Sequence, residues 1–271
     1  MSEPAYSLGH AATELERLTV QAQALRPITE RLLREAGIAR GMRVLDLGCG
    51  AGDVSLLLAE FVGRDGSVVA IDRSETAVAT ARDRIRRAGA VNVTLHHASV
   101  RDFVDGDGFD LAVGRYVLIF QEEPAQFIAD VARLVRPGGV VAFHEIDEFT
   151  GGSSVPQVPL WDRITNVVMG VMRRIVTTPD AAQRLAGSFE EAGLGAPSLI
   201  CERVVGSHQS TPMMAWMAST FREVLPRAQE LGLIAAGDIT VDNLETRVHA
   251  AVAEAHAQIV GPDQYCAWAR V

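Results

Sequence analysis

The stretch that most restricts this chain's fold is Val44-Leu45-Asp46-Leu47-Gly48-Cys49-Gly50-Ala51-Gly52-Asp53. An apolar strand runs into three alternating glycines and directly into a helix. Glycine lets the backbone turn sharply and approach a ligand with no Cβ in the way. The helix start adds unpaired N–H groups and partial positive charge. Turns of this kind belong to βαβ units, and the flanking sequence supplies them. Apolar runs Val68–Ile71, Val93–Leu95, Leu111–Val113 and Val140–Phe143 follow the first strand, with amphipathic stretches near 53–62, 75–88 and 124–136. Only the third and fourth runs lack a helix between them, being joined by the Asp- and Gly-rich loop Asp102–Gly108. Strands alternating with helices predict a parallel sheet with right-handed crossovers.

The spacing narrows the ligand. A dinucleotide fingerprint, G-x-G-x-x-G, needs glycine at position 53, where Asp53 stands. The observed G-x-G-x-G, with Asp46 and Asp53 at its ends, suits a cationic amino group and a neutral ribose. Asp72 ends the second strand 20 residues beyond Gly52, where a carboxylate can take both ribose hydroxyls.

Asp46–Gly52, Ile71-Asp72 and Val135-Arg136-Pro137-Gly138-Gly139 resemble the class I (Rossmann-like) S-adenosylmethionine (SAM)-dependent methyltransferases of small-molecule type. The resemblance covers about residues 40–148. It implies an α/β fold with a doubly wound, mostly parallel seven-stranded sheet, an antiparallel last strand and helical lid elements. It also implies SAM as cofactor, S-adenosylhomocysteine as product, Gly48, Gly50 and Gly52 around the methionine and ribose, and Asp72 on the ribose hydroxyls. Asp46, Asp53, Arg73, Val100 and Gly114 are further expected cofactor contacts, and Tyr6 is expected to fold over the cofactor. Ser99 stands where many relatives carry an Asp on the adenine amino group, so that contact is expected from Ser99, the Val100 backbone or Asp102. The organisation that follows is an N-terminal helical cover (1–40), a SAM-binding core (41–148) and a remainder (149–271). That remainder would hold lid insertions at about 150–177 and 206–263, with Ser198–Val205 and Gln264–Arg270 as the last strands. Pro27 is expected to separate two N-terminal helices, and residues 150–159 to form a loop.

Charge and composition limit the acceptor. Thirty-four acidic against twenty-five basic side chains give a net charge of −9, which argues against a nucleic-acid substrate. The run Arg82, Arg84, Arg86 and Arg87 reads as the solvated face of a helix. No apolar run approaches the roughly 18 residues of a membrane span. No secretory signal is apparent at Met1-Ser2-Glu3-Pro4, and Cys49, Cys201 and Cys266 fit neither a disulfide framework nor a zinc site, so a cytoplasmic location is expected.

Methyl transfer from a sulfonium is an in-line displacement that depends on alignment and dryness, with a base needed only when the nucleophile must lose a proton. Candidates should lie at the C-terminal strand ends. His144 is the preferred general base, with a hydrogen-bonding role to a neighbouring loop as its plain alternative. Alternation puts Glu145 on the opposite face, so only one of the two should face a pocket. Arg115, after the fourth strand, meets either the SAM carboxylate or an anionic substrate, and as a cation it disfavours a metal among Glu145, Asp147 and Glu148. No metal is expected. Five of seven methionines (Met169, Met172, Met213, Met214, Met217) lie outside the strand–helix pattern, with Trp161, Trp216 and Phe221. They suit either a lid over an apolar substrate or a homodimer interface. The chain thus reads as a methyltransferase acting on O, N or C of a small, largely apolar metabolite or natural product. A non-catalytic SAM-binding protein of the same fold is the alternative, with a nicotinamide-dependent oxidoreductase third.

Overall fold

The computed structural model describes residues 11–209 and 211–271. Tyr6 lies outside them. In chain order the elements are α1 (Ala11–Glu35), β1 (Arg43–Leu47), α2 (Asp53–Val62), β2 (Ser67–Asp72), α3 (Glu75–Ala88) and β3 (Val93–His97). Next come β4 (Phe109–Arg115), a short 3₁₀ turn (Leu118–Phe120), α4 (Pro124–Ala132), β5 (Val135–Ile146), β6 (Ser153–Val155) and α5 (Pro159–Ile175). The remainder are α6 (Leu185–Glu191), β7 (Ser198–Gly206), α7 (Pro212–Glu230), α8 (Leu244–Glu254) and β8 (Gln258–Arg270).

Contacts divide the chain into two units. One comprises Arg26–Asp147, Val176–Glu202 and Asp263–Val271. The other draws on the described residues up to Leu25, Glu148–Ile175 and Arg203–Pro262. The boundary within the N-terminal region therefore falls at Leu25/Arg26, inside α1.

In the first unit the sheet runs β3-β2-β1-β4-β5-β8, with β7 also paired to β8. β1 to β5 are parallel, and β8 is antiparallel to β5. Val44, Leu45, Leu47, Leu111, Ala112 and Val113 are buried, as expected of central parallel strands covered on both faces. This is the Rossmann-like α/β architecture, with Asp102–Gly108 linking β3 to β4 without a helix. β7 and β8 fall where the last two strands were expected, and β8 starts earlier, at Gln258.

Two expectations need correction. Pro27 sits inside one continuous helix, α1, instead of separating two. Proline removes a single intrahelical hydrogen bond, while Ile28, Leu32 and Leu33 are buried and hold the turn after it by packing. The stretch 150–159 contains the short strand β6, an eighth strand among the described residues, where a loop was expected. Three residues between Gly151-Gly152 and Pro156 are too few to show strand alternation.

In the second unit β6 pairs antiparallel with Gln258–Val260 of β8, and α5 packs on α7 and α8. Trp161, Met169, Met213, Met214, Trp216, Met217 and Phe221 are buried there, and Met172 is half-buried. The methionines thus contribute to this unit's own packing. Arg17 and Glu223 form a buried ion pair at 3.0 Å within it. No described helix is long and apolar enough to cross a membrane.

Candidate functional site

The glycine loop leaves β1 with all three glycines at positive φ, 61° at Gly48, 52° at Gly50 and 84° at Gly52. A Cβ on each would meet different surroundings. At Gly48 it would lie 3.1 Å from the Val117 side chain, and at Gly52 3.2 Å from Ala81 Cβ, so both positions are set by close packing. At Gly50 nothing lies within 4 Å. Two glycines seat the loop, and the third opens it.

Asp72, at the tip of β2, fastens that open residue. Its Oδ2 accepts the Gly50 N–H at 2.9 Å and its Oδ1 accepts the Ser74 N–H at 2.8 Å. The Cys49 N–H also bonds the Ile71 carbonyl at 3.0 Å. Asp53 opens α2 and pairs with Arg84 at 2.6 Å, while a second Arg84 nitrogen donates to the Ala51 carbonyl at 2.6 Å. Arg84 therefore belongs to the loop and not to a solvated face, which corrects the reading of the arginine run. Its signal was periodicity, since it follows buried Ala81 by three residues on a helix. Asp46 is buried and accepts the Ser55 hydroxyl at 2.5 Å. Burial pushes its carboxyl up to about 7, with Ser55 and the Arg115 charge holding it back.

The tips of β4 and β5 are tied together. The Glu145 Oε1 accepts the N–H groups of Val117 and Leu118, both at 2.9 Å, and so caps the 3₁₀ turn. It is fully buried, and burial pushes its carboxyl up to about 8 against the pull of those backbone N–H groups. Tyr116 adopts a left-handed φ of 58°, rare for a bulky residue, and its N–H bonds the His144 carbonyl at 2.8 Å. Its hydroxyl donates to Gln264 Oε1 at 2.6 Å. The same oxygen lies 3.2 Å from His144 Nε2, and Thr29 Oγ1 lies 3.0 Å from His144 Nδ1. A self-consistent chain has Thr29 donating to Nδ1 and Nε2–H donating to Gln264. His144 is fully buried, and burial together with the Arg115 charge brings its pKa down to about 3.

The structure thus brings Asp46, Gly48, Gly50, Gly52, Asp53 and Asp72 together around one loop. Gly114 is packed tightly, a Cβ there lying 2.8 Å from the Phe143 ring. Arg73 is exposed, and its carbonyl accepts from His97 Nε2 at 3.0 Å. Ser99 donates to Asp102 at 2.6 Å within a turn that includes half-buried Val100. Neither His144 nor Glu145 faces an opening, where one had been expected to. No motif in the sequence marks Ser55, Tyr116, Val117, Thr29 or Gln264 as site residues.

A parallel sheet with a glycine loop at the β1 tip and a carboxylate at the β2 tip defines a nucleoside-binding α/β protein. The comparisons make it more particular. The chain matches the methyltransferase-domain family over residues 38–192, more than half its length, and it belongs to the class I SAM-dependent methyltransferases. Over 117 residues it is 40% identical to the ubiquinone biosynthesis O-methyltransferase of Aromatoleum aromaticum, covering 42% of this chain and 47% of that one. Over 160 residues it is 28% identical to the demethylmenaquinone methyltransferase of Shouchella clausii, covering 59% and 63%. BH2331 of Bacillus halodurans C-125 shares the fold, with a TM-score of 0.59 at 19% identity over 89% of this chain and 97% of that one. The chain spans between 47% and 63% of the length of these two curated relatives. SAM is the cofactor of this family, and the open side of Gly50 beside the Asp72 carboxylate fits its ribose.

Proposed function

We propose that this chain transfers the methyl group of SAM to an O, N or C atom of a small, largely apolar metabolite. The observation that carries the reading is the loop in which Gly48 and Gly52 are packed while Gly50 stays open beside Asp72. One curated relative named for ubiquinone biosynthesis and one named for demethylmenaquinone support a largely apolar acceptor.

When bound, SAM supplies an electrophilic methyl on a sulfonium, which a nucleophile displaces in line. Asp72 would hold the ribose hydroxyls while its two backbone N–H bonds keep the carboxylate aimed. Arg84 and Asp53 fix the far side of the loop, and Val117 closes over Gly48. Gly114, Arg73, Ser99 and Val100 remain proposed cofactor contacts, as does Tyr6. His144 is neutral but has both ring nitrogens engaged. It orients Gln264 and through it Tyr116, and Glu145 fixes the turn that carries Tyr116. Rate would therefore come from alignment and exclusion of water, without an exposed general base among these two.

The sealing of His144 and Glu145 also favours a second reading, a SAM-binding protein that transfers no methyl. The protein incubated with methyl-labelled SAM, 2-methyl-1,4-naphthohydroquinone, catechol and a small-molecule extract should yield a labelled product. Tight S-adenosylhomocysteine binding with no labelled product in any mixture would replace the first reading by the second.

A further inference from the structure

Tyr116 is the first residue beyond β4, and its left-handed backbone is a conformation that persists only where neighbours over-determine it. Here three successive N–H groups are taken by the tip of β5. That of Tyr116 goes to the His144 carbonyl, and those of Val117 and Leu118 go to Glu145 Oε1. Val117 in turn lies against Gly48. The turn is thus locked beside the glycine loop. Thr29, His144 and Gln264 are buried, whereas Tyr116 is half-buried, so of these four it is the one that keeps exposed surface.

The polarity of its phenol is set from the interior. Arg115, the last residue of β4, is half-buried and pairs with His144 across β4 and β5. Burial, and after it the Arg115 charge, keep the His144 ring neutral, so it carries one N–H. With that hydrogen on Nε2, ring and phenol both point a donor at Gln264 Oε1, at 3.2 and 2.6 Å. Turned over, the amide would present its NH2 group to both, and the phenol would accept instead of donate. The Tyr116 hydroxyl has a single hydrogen, and Gln264 holds it. Towards a ligand its oxygen is therefore a hydrogen-bond acceptor and not a donor.

We propose that Tyr116 recognises the methyl acceptor by taking a hydrogen bond from its O–H or N–H group, and disfavours molecules that offer only a carbonyl. Gln264 and His144 are positioning residues that set this preference. The proposal rests on the methyltransferase reading and narrows its substrate to a molecule bearing a phenol, alcohol or amine. A carbonyl in the same place would face an oxygen lone pair with no proton between them, and its own oxygen would go unpaired.

The test uses a matched pair of planar, apolar probes. Tetramethyl-1,4-hydroquinone donates hydrogen bonds, and tetramethyl-1,4-benzoquinone only accepts them. Both are titrated calorimetrically, under argon, into protein saturated with S-adenosylhomocysteine. The unaltered chain should bind the hydroquinone about tenfold tighter than the quinone. Tyr116→Phe keeps the ring and should weaken the hydroquinone about tenfold, leaving the quinone and S-adenosylhomocysteine within about twofold. Gln264→Met releases the phenol hydrogen, so the quinone should gain about threefold and the preference should fall to about threefold or less. A residue that only supported the fold would move both probes together. If Gln264→Met fails to fold, Tyr116→Phe still carries the comparison. No preference in the unaltered chain, binding of neither probe, or equal losses of both in Tyr116→Phe overturns the proposal, and normal S-adenosylhomocysteine binding then leaves the SAM reading in place. A preference abolished by Tyr116→Phe but intact in Gln264→Met upholds the contact and overturns its control by Gln264. Failure of S-adenosylhomocysteine to bind the unaltered chain removes the SAM reading and this one with it.

Discussion

Asp72 and Glu145 are both acidic side chains near the C-terminal ends of parallel strands, and each accepts two backbone N–H groups, Asp72 from Gly50 and Ser74, Glu145 from Val117 and Leu118. Asp72 divides the pair between its two oxygens and stays partly exposed. Glu145 takes both on one oxygen and is fully buried. The same chemical device thus serves an open site at β2 and a closed joint at β5. A strand-tip position tells which edge of the sheet a residue reaches. Whether that place is open is decided by chain arriving from elsewhere.

The contrast is open to direct test, and the largest effect is expected at the open tip. Asp72→Ala should weaken S-adenosylhomocysteine at least about 100-fold by calorimetry, since it removes both the proposed ribose acceptor and the Gly50 tether. An affinity within about twofold of the original would break the contrast. At the closed tip, Glu145→Ala should instead cost about 2–3 kcal/mol of stability in urea titration, because two N–H groups are left unpaired in the interior.

Glu145→Gln keeps an acceptor for those groups and isolates the charge. Burial raises Asp46 to about 7 and Glu145 to about 8, whereas unfolded carboxyls titrate near about 4. The folded chain therefore holds protons that the unfolded chain releases. The stability linked to them is complete below about pH 4 and is lost as pH rises through the folded values. Melting temperature should fall between pH 5 and 8.5, and it should fall less in Glu145→Gln. Parallel curves would place the charge elsewhere.

Smaller effects separate the glycines. Gly50→Ala should lower S-adenosylhomocysteine affinity about tenfold, its methyl entering the open side, and should cost about 1 kcal/mol of stability for the positive φ. Gly48→Ala adds a contact with Val117 and should cost more stability than Gly50→Ala, read from urea midpoints. The smallest change is expected from Arg84→Ala, about 0.5 kcal/mol of stability in urea titration, since Asp53 and the Ala51 carbonyl can be partly rehydrated.

What the sequence made legible follows the same division. The five parallel strands, the glycine loop and Asp72 were readable because each is a local pattern: an apolar run, a spacing or a strand end. Arg84 was misread because four arginines in six residues resemble a solvated face, while the inward side is marked only by Val78, Ala81 and Ile85 spaced along the helix. His144 looked available because its strand-end position is local information, while its neighbours are not. Thr29 and Gln264 lie 115 and 120 residues from it in sequence. β6 escaped notice for want of length, and Pro27 misled because packing outweighed one missing hydrogen bond.

The ladder between β5 and β8 matches Val140 with Arg270 at one end and Ile146 with Gln264 at the other, with His144 opposite Cys266. Gln264 shares a face with Cys266 and so with His144. A slip of one residue would preserve the backbone pairing but turn Gln264 toward the face of Glu145, cutting the connection from Thr29 through His144 to Tyr116. Length in this tail is therefore a wiring constraint. Drift within the family should exchange side chains along β8 freely compared with single-residue insertions or deletions, which would leave the sheet intact and the wiring misaddressed.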